Sequence, residues 1–317
     1  MNRSSVLRVL AALVAVGIAG ALDAATAYVP NEGSATISVI DTATDKVTGT
    51  LKHGKKPRGI AITKDGSRMY LSDQTGKAVI VVSLPDGKAV GSVALGESPE
   101  AIYLSDDGKW LSVAIEEDDE VALIDTGTLK VARKIKMKGE NPEHAVFSPD
   151  GRWLYVSAED GDTVDIISLD QNAVVKSVKV GDRPRGIGFL PDGSRVYVAA
   201  ENADLVNVLD TAKHEVIARI KASSRTNGIT VHPDGKRVFA SSGGKGTVQV
   251  IDVQTNAIVK EIAVGRRPWN MALTPDGKKL YVACGRSNAV AVIDTDTYEK
   301  VAEIPVGELP WGVAIRP

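Results

Sequence analysis

Cysteine is almost absent from this sequence, since Cys284 is the only one in 317 residues. An internal disulfide is therefore excluded, and the Cys-x-x-Cys-His pattern that attaches c-type haem is missing. The chain also lacks a Gly-x-Ser-x-Gly nucleophile elbow, a phosphate-binding loop and a dinucleotide fingerprint. These absences argue against the enzyme classes that depend on those motifs, and they leave Cys284 as a predicted small buried hydrophobe at a strand end.

The chain also lacks a marked excess of either positive or negative charge. The formal net charge is −2, and lysine and arginine are spread evenly over the chain without a basic stripe. Nucleic-acid binders concentrate positive charge on one face or element. We therefore expect no nucleic-acid partner.

What the chain does have is a repeat. A turn glycine recurs at steps of 42, 43, 42, 42 and 42 residues. The six positions are Gly66, Gly108, Gly151, Gly193, Gly235 and Gly277. A period held this closely indicates an array of equal supersecondary units.

One repeat predicts four short strands. A Pro-Asp-Gly turn at 233–235 is followed by strand-like segments at 238–240, 247–251, 257–264 and 269–273. Four antiparallel strands in a repeat of about 40–45 residues are typical of a propeller blade rather than of a helical repeat.

The two ends of the chain complete the count. The final segment, 311–316, stops just before a seventh turn glycine, while residues 27–51 lack a first strand. Joining them makes a seventh blade and leaves no open edge between the ends. The predicted fold is therefore an all-β, seven-bladed β-propeller with four antiparallel strands per blade, spanning residues 27–317, and we expect a monomer.

The first 26 residues differ from the repeats. Arg3 and Arg8 precede an apolar run at 9–19, and small residues follow up to Ala27. This order is typical of a secretory signal peptide, with cleavage expected between Ala24 and Ala27. The apolar run is short for a membrane span, so an uncleaved anchor is the alternative. The predicted location is the bacterial periplasm.

Several repeats carry related strand and loop sequences. Three strands begin Tyr28-Val29-Pro30-Asn31, Tyr197-Val198-Ala199-Ala200 and Tyr281-Val282-Ala283-Cys284. Val-Ile-Asp follows at 39–41 and 292–294, and the loop at 306–312 reads Val-Gly-Glu-Leu-Pro-Trp-Gly. From residue 27 onward the chain resembles YVTN-type seven-bladed β-propellers, although no repeat reads Tyr-Val-Thr-Asn. More narrowly, it is similar to exported propellers that accompany pyrroloquinoline quinone-dependent alcohol oxidation, which implies an association with a quinoprotein dehydrogenase or a cytochrome.

A candidate site follows from the residue after each inter-blade proline (Thr226 replaces the proline once). By analogy with the fold, these residues are expected at the channel mouth. Round the ring they are Arg58, Glu100, Glu143, Arg185, Asn227, Trp269 and Trp311. A carboxylate side, cationic flanks and an aromatic side suit a polar ligand with a flat or apolar part. The alternative is that arginine and glutamate pair across neighbouring blades and the tryptophans plug the channel.

Two further features lie beside this column. His144 follows Glu143, so the two could ligate a metal, act as a base or, for His144, bind haem, although two groups are too few for a zinc site. The acidic stretch at 116–120 suits a hard cation or a basic partner, or it is simply solvated.

Two functions therefore remain open. The first is an exported non-catalytic propeller that binds a protein partner or small ligand on its channel face, accessory to quinone-dependent oxidation and without a predicted cofactor. The second is a periplasmic lactonase-like hydrolase or lyase that uses a divalent metal on the channel face, held by the glutamates and His144.

Overall fold

Twenty-eight short strands account for most of residues 25–316, the part of the chain that this computed structural model describes. They form seven separate four-stranded antiparallel sheets. This confirms the predicted all-β, seven-bladed propeller.

We number the blades in chain order, beginning with the blade that both chain ends share. Blade 1 contains β1 (Thr26–Asn31), β2 (Thr36–Asp41), β3 (Lys46–Leu51) and β28 (Ala314–Arg316). Blades 2 and 3 contain β4 (Pro57–Ile62), β5 (Arg68–Asp73), β6 (Ala78–Ser83), β7 (Lys88–Ala94), β8 (Pro99–Leu104), β9 (Trp110–Ile115), β10 (Glu120–Asp125) and β11 (Lys130–Lys136).

The remaining four blades repeat this pattern. Blades 4 and 5 contain β12 (Pro142–Phe147), β13 (Trp153–Ala158), β14 (Thr163–Ser168), β15 (Ala173–Lys179), β16 (Pro184–Phe189), β17 (Arg195–Ala200), β18 (Leu205–Asp210) and β19 (Glu215–Lys221). Blades 6 and 7 contain β20 (Thr226–Val231), β21 (Arg237–Ser242), β22 (Thr247–Asp252), β23 (Ala257–Ala263), β24 (Pro268–Leu273), β25 (Lys279–Cys284), β26 (Ala289–Asp294) and β27 (Glu299–Pro305). Two single-turn 3₁₀ helices, Glu116–Asp118 and Gly285–Ser287, follow β9 and β25.

Local sequence explains the turns between these strands. All six repeat glycines have φ between +66° and +72°, a region that only glycine occupies without strain. After the third strand, an aspartate begins the next turn in five of the seven blades, and serine replaces it at positions 83 and 168. In blade 1, Asp41 Oδ1 accepts hydrogen bonds from the backbone N–H groups of Ala43 and Thr44 at 2.8 and 3.0 Å.

The hydrophobic core lies between the blades. Each of seven buried clusters combines apolar side chains from neighbouring sheets. The aromatic column of the second strand supplies the largest of them: Tyr70, Tyr155, Tyr197, Phe239 and Tyr281. Cys284 is buried as expected, and burial raises the pKa of its thiol to about 12.

The ring closes through blade 1. Strand β28 pairs antiparallel with β1, with Thr26 opposite Arg316 and Tyr28 opposite Ala314. The closing strand is shorter than the predicted 311–316, because the regular pairing is interrupted before Ala314. The chain still meets β1 there, since Trp311 donates its backbone N–H to the Pro30 carbonyl at 3.0 Å and Pro310 forms an isolated bridge with Asn31. The first strand of every blade touches the first strand of the next, which produces a closed ring of seven inner strands around the channel.

The predicted signal peptide falls almost entirely outside the described residues, which begin at Ala25. Strand β1 starts at Thr26, one residue before the predicted domain boundary. Within residues 25–316, no helix has the length and apolar character needed to cross a membrane.

Candidate functional site at the channel mouth

The inner strands share a register shift at their start, which displaces the residues after the proline position from the regular pairing. The shift occurs in β4, β8, β12, β16, β20 and β24. A bulge of this kind re-aims side chains. The next residue is often glycine, because the neighbouring inner strand is very close. A Cβ on Gly59 would lie 2.5 Å from the Glu100 carbonyl oxygen, and one on Gly186 would lie 2.6 Å from that of Asn227.

A second column of residues, missed in the sequence analysis, meets the first. It consists of the residue that follows the second strand of each blade: Glu32, Gln74, Glu116, Glu159, Glu201, Gly243 and Gly285. It recurs with the same period of 42–43 residues, so the sequence held a signal that could have revealed it. Acids and glutamine fill blades 1–5, and glycine fills blades 6 and 7.

On blades 1–3, Arg58 is the central cation. Its Nη1 lies 2.6 Å from Glu100 and its Nε lies 2.9 Å from Glu32, while Lys56 lies 3.2 Å from Glu32. Gln74 donates a hydrogen bond to Glu100 at 2.7 Å. The pairing of Arg58 with Glu100, one of the alternatives that the sequence left open, is therefore present.

On blades 4–7, Arg185 contacts three carboxylates. Its Nη1 lies 2.6 Å from Glu143 and 2.5 Å from Glu159, and its Nε lies 3.0 Å from Glu201. Glu201 has no solvent exposure and is also approached by three further guanidinium groups. These are Arg183 at 3.5 Å, Arg225 at 3.2 Å and Arg267 at 2.7 Å.

Burial and neighbouring charges shift the titration of these groups in opposite directions. Burial, reinforced by the Glu143 charge, raises the pKa of Glu100 to about 8 and that of Glu159 to about 9. Burial would also raise the pKa values of Glu143 and Glu201, but Arg185 and other nearby charges outweigh it and hold both below the ordinary range. The ring therefore combines carboxyl groups that favour the neutral form with others that favour the ionised form.

A cavity of 220 Å³ lies inside this ring. Six of the predicted residues line it: Arg58, Glu143, Arg185, Asn227, Trp269 and Trp311. Arg183, Arg267, Glu32 and Glu116 add further charge to its wall. The lining found among the described residues does not include Glu100 or His144, which are fully buried behind it.

Trp311 separates two compartments of the channel. It lines the polar mouth cavity and also an inner apolar cavity of 120 Å³ walled by residues such as Ile102, Ile187 and Met271. Trp269 lies at the mouth with the Arg267 guanidinium 5.9 Å from its ring centre. Tryptophan thus both forms the aromatic wall and closes the channel, so the two interpretations of this position are compatible.

His144 is packed in the protein interior and does not face the mouth cavity. Its ring lies almost parallel to Trp311 with centroids 6.2 Å apart, and its Nδ1 is 2.5 Å from the Tyr103 hydroxyl. Burial lowers the pKa of His144 to about 4, so the ring is neutral at pH 7. Its Nε2 is buried and makes no hydrogen bond within residues 25–316.

The carboxyl oxygens of Glu100, Glu116 and Glu143 lie within 4.8 Å of one another, an oxygen-rich set of the kind that hard cations prefer. Arg58 and Arg185 already bind two of the three groups. His144 is not part of this cluster. The predicted pairing of Glu143 with His144 as metal ligands therefore gains no support from the described residues.

The acidic stretch at 116–120 lies beside the mouth. Residues Glu116–Asp118 form the first 3₁₀ turn, and lysines offset the residues that follow. Lys136 lies 3.5 Å from Asp119, and Lys134 lies 3.0 Å from Glu120. Glu117 remains exposed. The stretch is partly neutralised and partly available to a partner.

Comparison with known proteins places the chain in a family. The model of the YNCE-like β-propeller family matches residues 77–257, which is more than half of the chain. The chain belongs to the YNCE-like β-propeller family. This agrees with the YVTN-type resemblance of its repeats. No curated protein matches the chain significantly.

Solved structures with different activities share the fold of this YNCE-like propeller. Hydrazine synthase from Kuenenia stuttgartiensis aligns with a TM-score of 0.79 at 25% identity, over 86% of this chain and 93% of that chain. A Bacteroides fragilis protein provisionally assigned as a 6-phosphogluconolactonase aligns at 0.78 and 20% identity, over 93% and 99%. The dihydro-heme d1 dehydrogenase NirN, solved in complex with DHE, aligns at 0.70 and 17% identity, over 91% and 74%. At such low identity the last two likenesses concern the fold alone.

Proposed function

We propose that this YNCE-like propeller is an exported, non-catalytic binding protein that holds a small polar ligand in its channel mouth. The observation that carries the proposal is the 220 Å³ cavity, which joins a wall of paired arginine and glutamate side chains to two tryptophans. Ligand sites commonly combine an apolar or aromatic wall with a few fixed polar groups. The arginine–glutamate pairs fix these polar groups, since each charged side chain is held by partners from neighbouring blades.

The groups that could act on a substrate have other roles here. His144 is buried, neutral and bonded to Tyr103, while Glu143 is bound by Arg185. A general base must reach the proton that it abstracts. These contacts favour binding over catalysis.

An association with quinone-dependent alcohol oxidation extends this proposal. It is motivated by the resemblance to exported propellers of such systems and by the signal-like segment before residue 25. A quinoprotein dehydrogenase or a cytochrome would dock on the channel face, where Glu117 is exposed and its acidic neighbours are half-buried. Expression with the native N-terminus, cell fractionation and N-terminal sequencing test the export step, and retention of the intact chain in the cytoplasm would contradict it.

The binding proposal is tested by thermal-shift screening of the purified protein against small polar metabolites, followed by calorimetric titration. A ligand at 100 times its Kd should stabilise the fold by about 2.7 kcal/mol. Trp269→Leu should abolish that shift, whereas Trp110→Leu, which changes a half-buried tryptophan away from the mouth, should leave it intact. A ligand whose affinity survives Trp269→Leu would place binding elsewhere and refute the proposal.

A metal-dependent hydrolase is the second candidate, and the cluster of Glu100, Glu116 and Glu143 oxygens favours it. Elemental analysis and titration with Ca²⁺, Mn²⁺ and Zn²⁺ distinguish the two functions. A stoichiometric metal together with lactone hydrolysis that Glu116→Gln removes would establish the enzyme. A metal-free protein that binds its ligand without turnover would support the binding protein.

A further inference from the structure

We propose that the ligand of the mouth cavity is a compact zwitterion of the amino-acid type, with its carboxylate toward Arg267 and Arg183 and its ammonium group toward Glu116. This inference rests on the proposed binding function and names the ligand class. It follows from an uneven distribution of basic and acidic side chains around the ring.

The ring divides into a cationic and an anionic half. On blades 4–7, four guanidinium groups surround only three carboxyl groups, those of Glu143, Glu159 and Glu201. On blades 1–3, three carboxyl groups accompany only two cations, Lys56 and Arg58. By count of ionisable side chains, each half has one group in excess of its partners. Because burial favours the neutral forms of Glu100 and Glu159, the excess of cations on blades 4–7 is the larger of the two.

The cationic half is short of acceptors at a defined place. Among the described residues, Glu201 is the only carboxylate that pairs with Arg225 or Arg267, and it also meets Arg183 and Arg185. The Arg183 guanidinium pairs through Nη2 with Glu159 at 2.8 Å, but its Nε is buried and donates no hydrogen bond within the same residues. Burial and the neighbouring arginines lower the pKa of Arg267 in spite of Glu201. A ligand carboxylate beside Arg183 and Arg267, which both line the cavity, would supply the missing acceptor.

The anionic half has the opposite deficit. Within residues 25–316, Glu116 makes no ion pair, and its Oε2 is 2.9 Å from the Ser98 hydroxyl. Glu143 lies close to Glu116 and is kept ionised by Arg185. An ammonium group at this wall would meet two carboxylates, one of them without a cation of its own.

The volume sets the size of the ligand. The cavity of 220 Å³ is smaller than the roughly 300–1,000 Å³ that accommodate drug-sized molecules. Arg183, Arg267 and Glu116 line this same small space, so one short molecule can reach both halves. The tryptophan wall then faces the apolar part of the ligand.

The test is calorimetric titration of the full-length protein with a panel of L-α-amino acids. For the tightest binder, the N-acetyl derivative removes the ammonium charge and the primary amide removes the carboxylate. Each derivative should bind at least about tenfold more weakly, because each leaves a charged wall without its partner. An N-acetyl derivative that binds as tightly as the parent amino acid would overturn the assignment of Glu116.

Paired variants assign the two halves. Arg267→Gln should weaken the amino acid about tenfold and leave the amide unaffected, while Glu116→Gln should weaken the amino acid and spare the N-acetyl form. Arg266→Gln and Glu117→Gln, both exposed neighbours, are the matched controls and should change nothing. Binding of neutral or purely anionic molecules in place of amino acids would refute the zwitterion and preserve the binding function. The absence of any small ligand would refute both.

Discussion

Removal of Arg185 is the sharpest perturbation of the ring. This buried guanidinium contacts Glu143, Glu159 and Glu201. Breaking a buried ion pair by removing one partner costs about 3–5 kcal/mol. For a domain of about 290 residues the unfolding entropy is about 0.6 kcal/mol/K, so Arg185→Gln should lower Tm by roughly 5–8 °C at pH 8.

The cost should also depend on pH. Arg185 is a main cause of the lowered pKa values of Glu143 and Glu201, so its loss raises both pKa values. A buried carboxyl group that has lost its arginine partner can take up a proton at low pH and so avoid an unpaired negative charge. The loss of stability caused by Arg185→Gln should therefore be smaller at pH 5.5 and larger toward pH 8.5. Denaturant unfolding of wild type and variant at both pH values measures this. Arg152→Gln is the control, because its pair with Asp150 is exposed and worth at most about 1 kcal/mol. A loss below 1 kcal/mol, or one that is larger at pH 5.5, would refute the reasoning.

Three further outcomes are expected. Wild-type protein should lose at least about 2–4 kcal/mol of stability between pH 6 and 9.5, because burial raises the pKa of Glu100 to about 8 and that of Glu159 to about 9, and the folded protein then releases protons that the unfolded chain has already lost; Glu159→Gln should reduce this loss in pH-dependent melting and leave the part due to Glu100. Gly285→Ala should cost about 1–3 kcal/mol and alter tryptophan fluorescence, because its Cβ would lie 2.6 Å from the Trp269 ring, while Gly127→Ala, with no contact closer than 3.4 Å, should be nearly neutral. Trp311→Ala should cost about 3–5 kcal/mol in denaturant unfolding, since it merges the mouth and inner cavities; a cost below 1 kcal/mol would contradict its role as the channel plug.

The fold was predictable because each blade is marked by local sequence signals. The turn glycines need positive φ, and the aspartates after the third strand close their own turns, so the 42-residue period could be counted without knowing any long-range contact. Closure followed from where the last repeat stops. The exception is the start of β28, since nothing local shows that the regular pairing with β1 is interrupted between Pro310 and Ala314.

The candidate site was predictable only as a set of positions. The residues after the prolines do converge on the mouth, but their partners depend on the spacing between inner strands, as for Arg58 and Glu100. Glu159 and Glu201 do not follow from the proline positions, because both belong to a separate column, the residue after the second strand of each blade. The buried position of His144 could not be predicted from the sequence for a different reason. Its strand shifts register between Pro142 and His144, whereas in the other five shifted strands the shift spans three residues.

The contacts that join the two ends of the chain also form part of the candidate site. Beyond the pairing of β28 with β1, the backbone N–H groups of Glu32 and Gly33 donate to the carbonyls of Leu309 and Glu308, both at 3.0 Å. Trp311, between these contacts and β28, is both the floor of the mouth and part of the seam where the two chain ends meet. Opening the seam removes one wall of the cavity, and anything held against Trp311 resists that opening. A ligand of the kind proposed for the mouth would therefore couple its own binding to the closure of the ring, because it would favour the closed form in which Trp311 is in place.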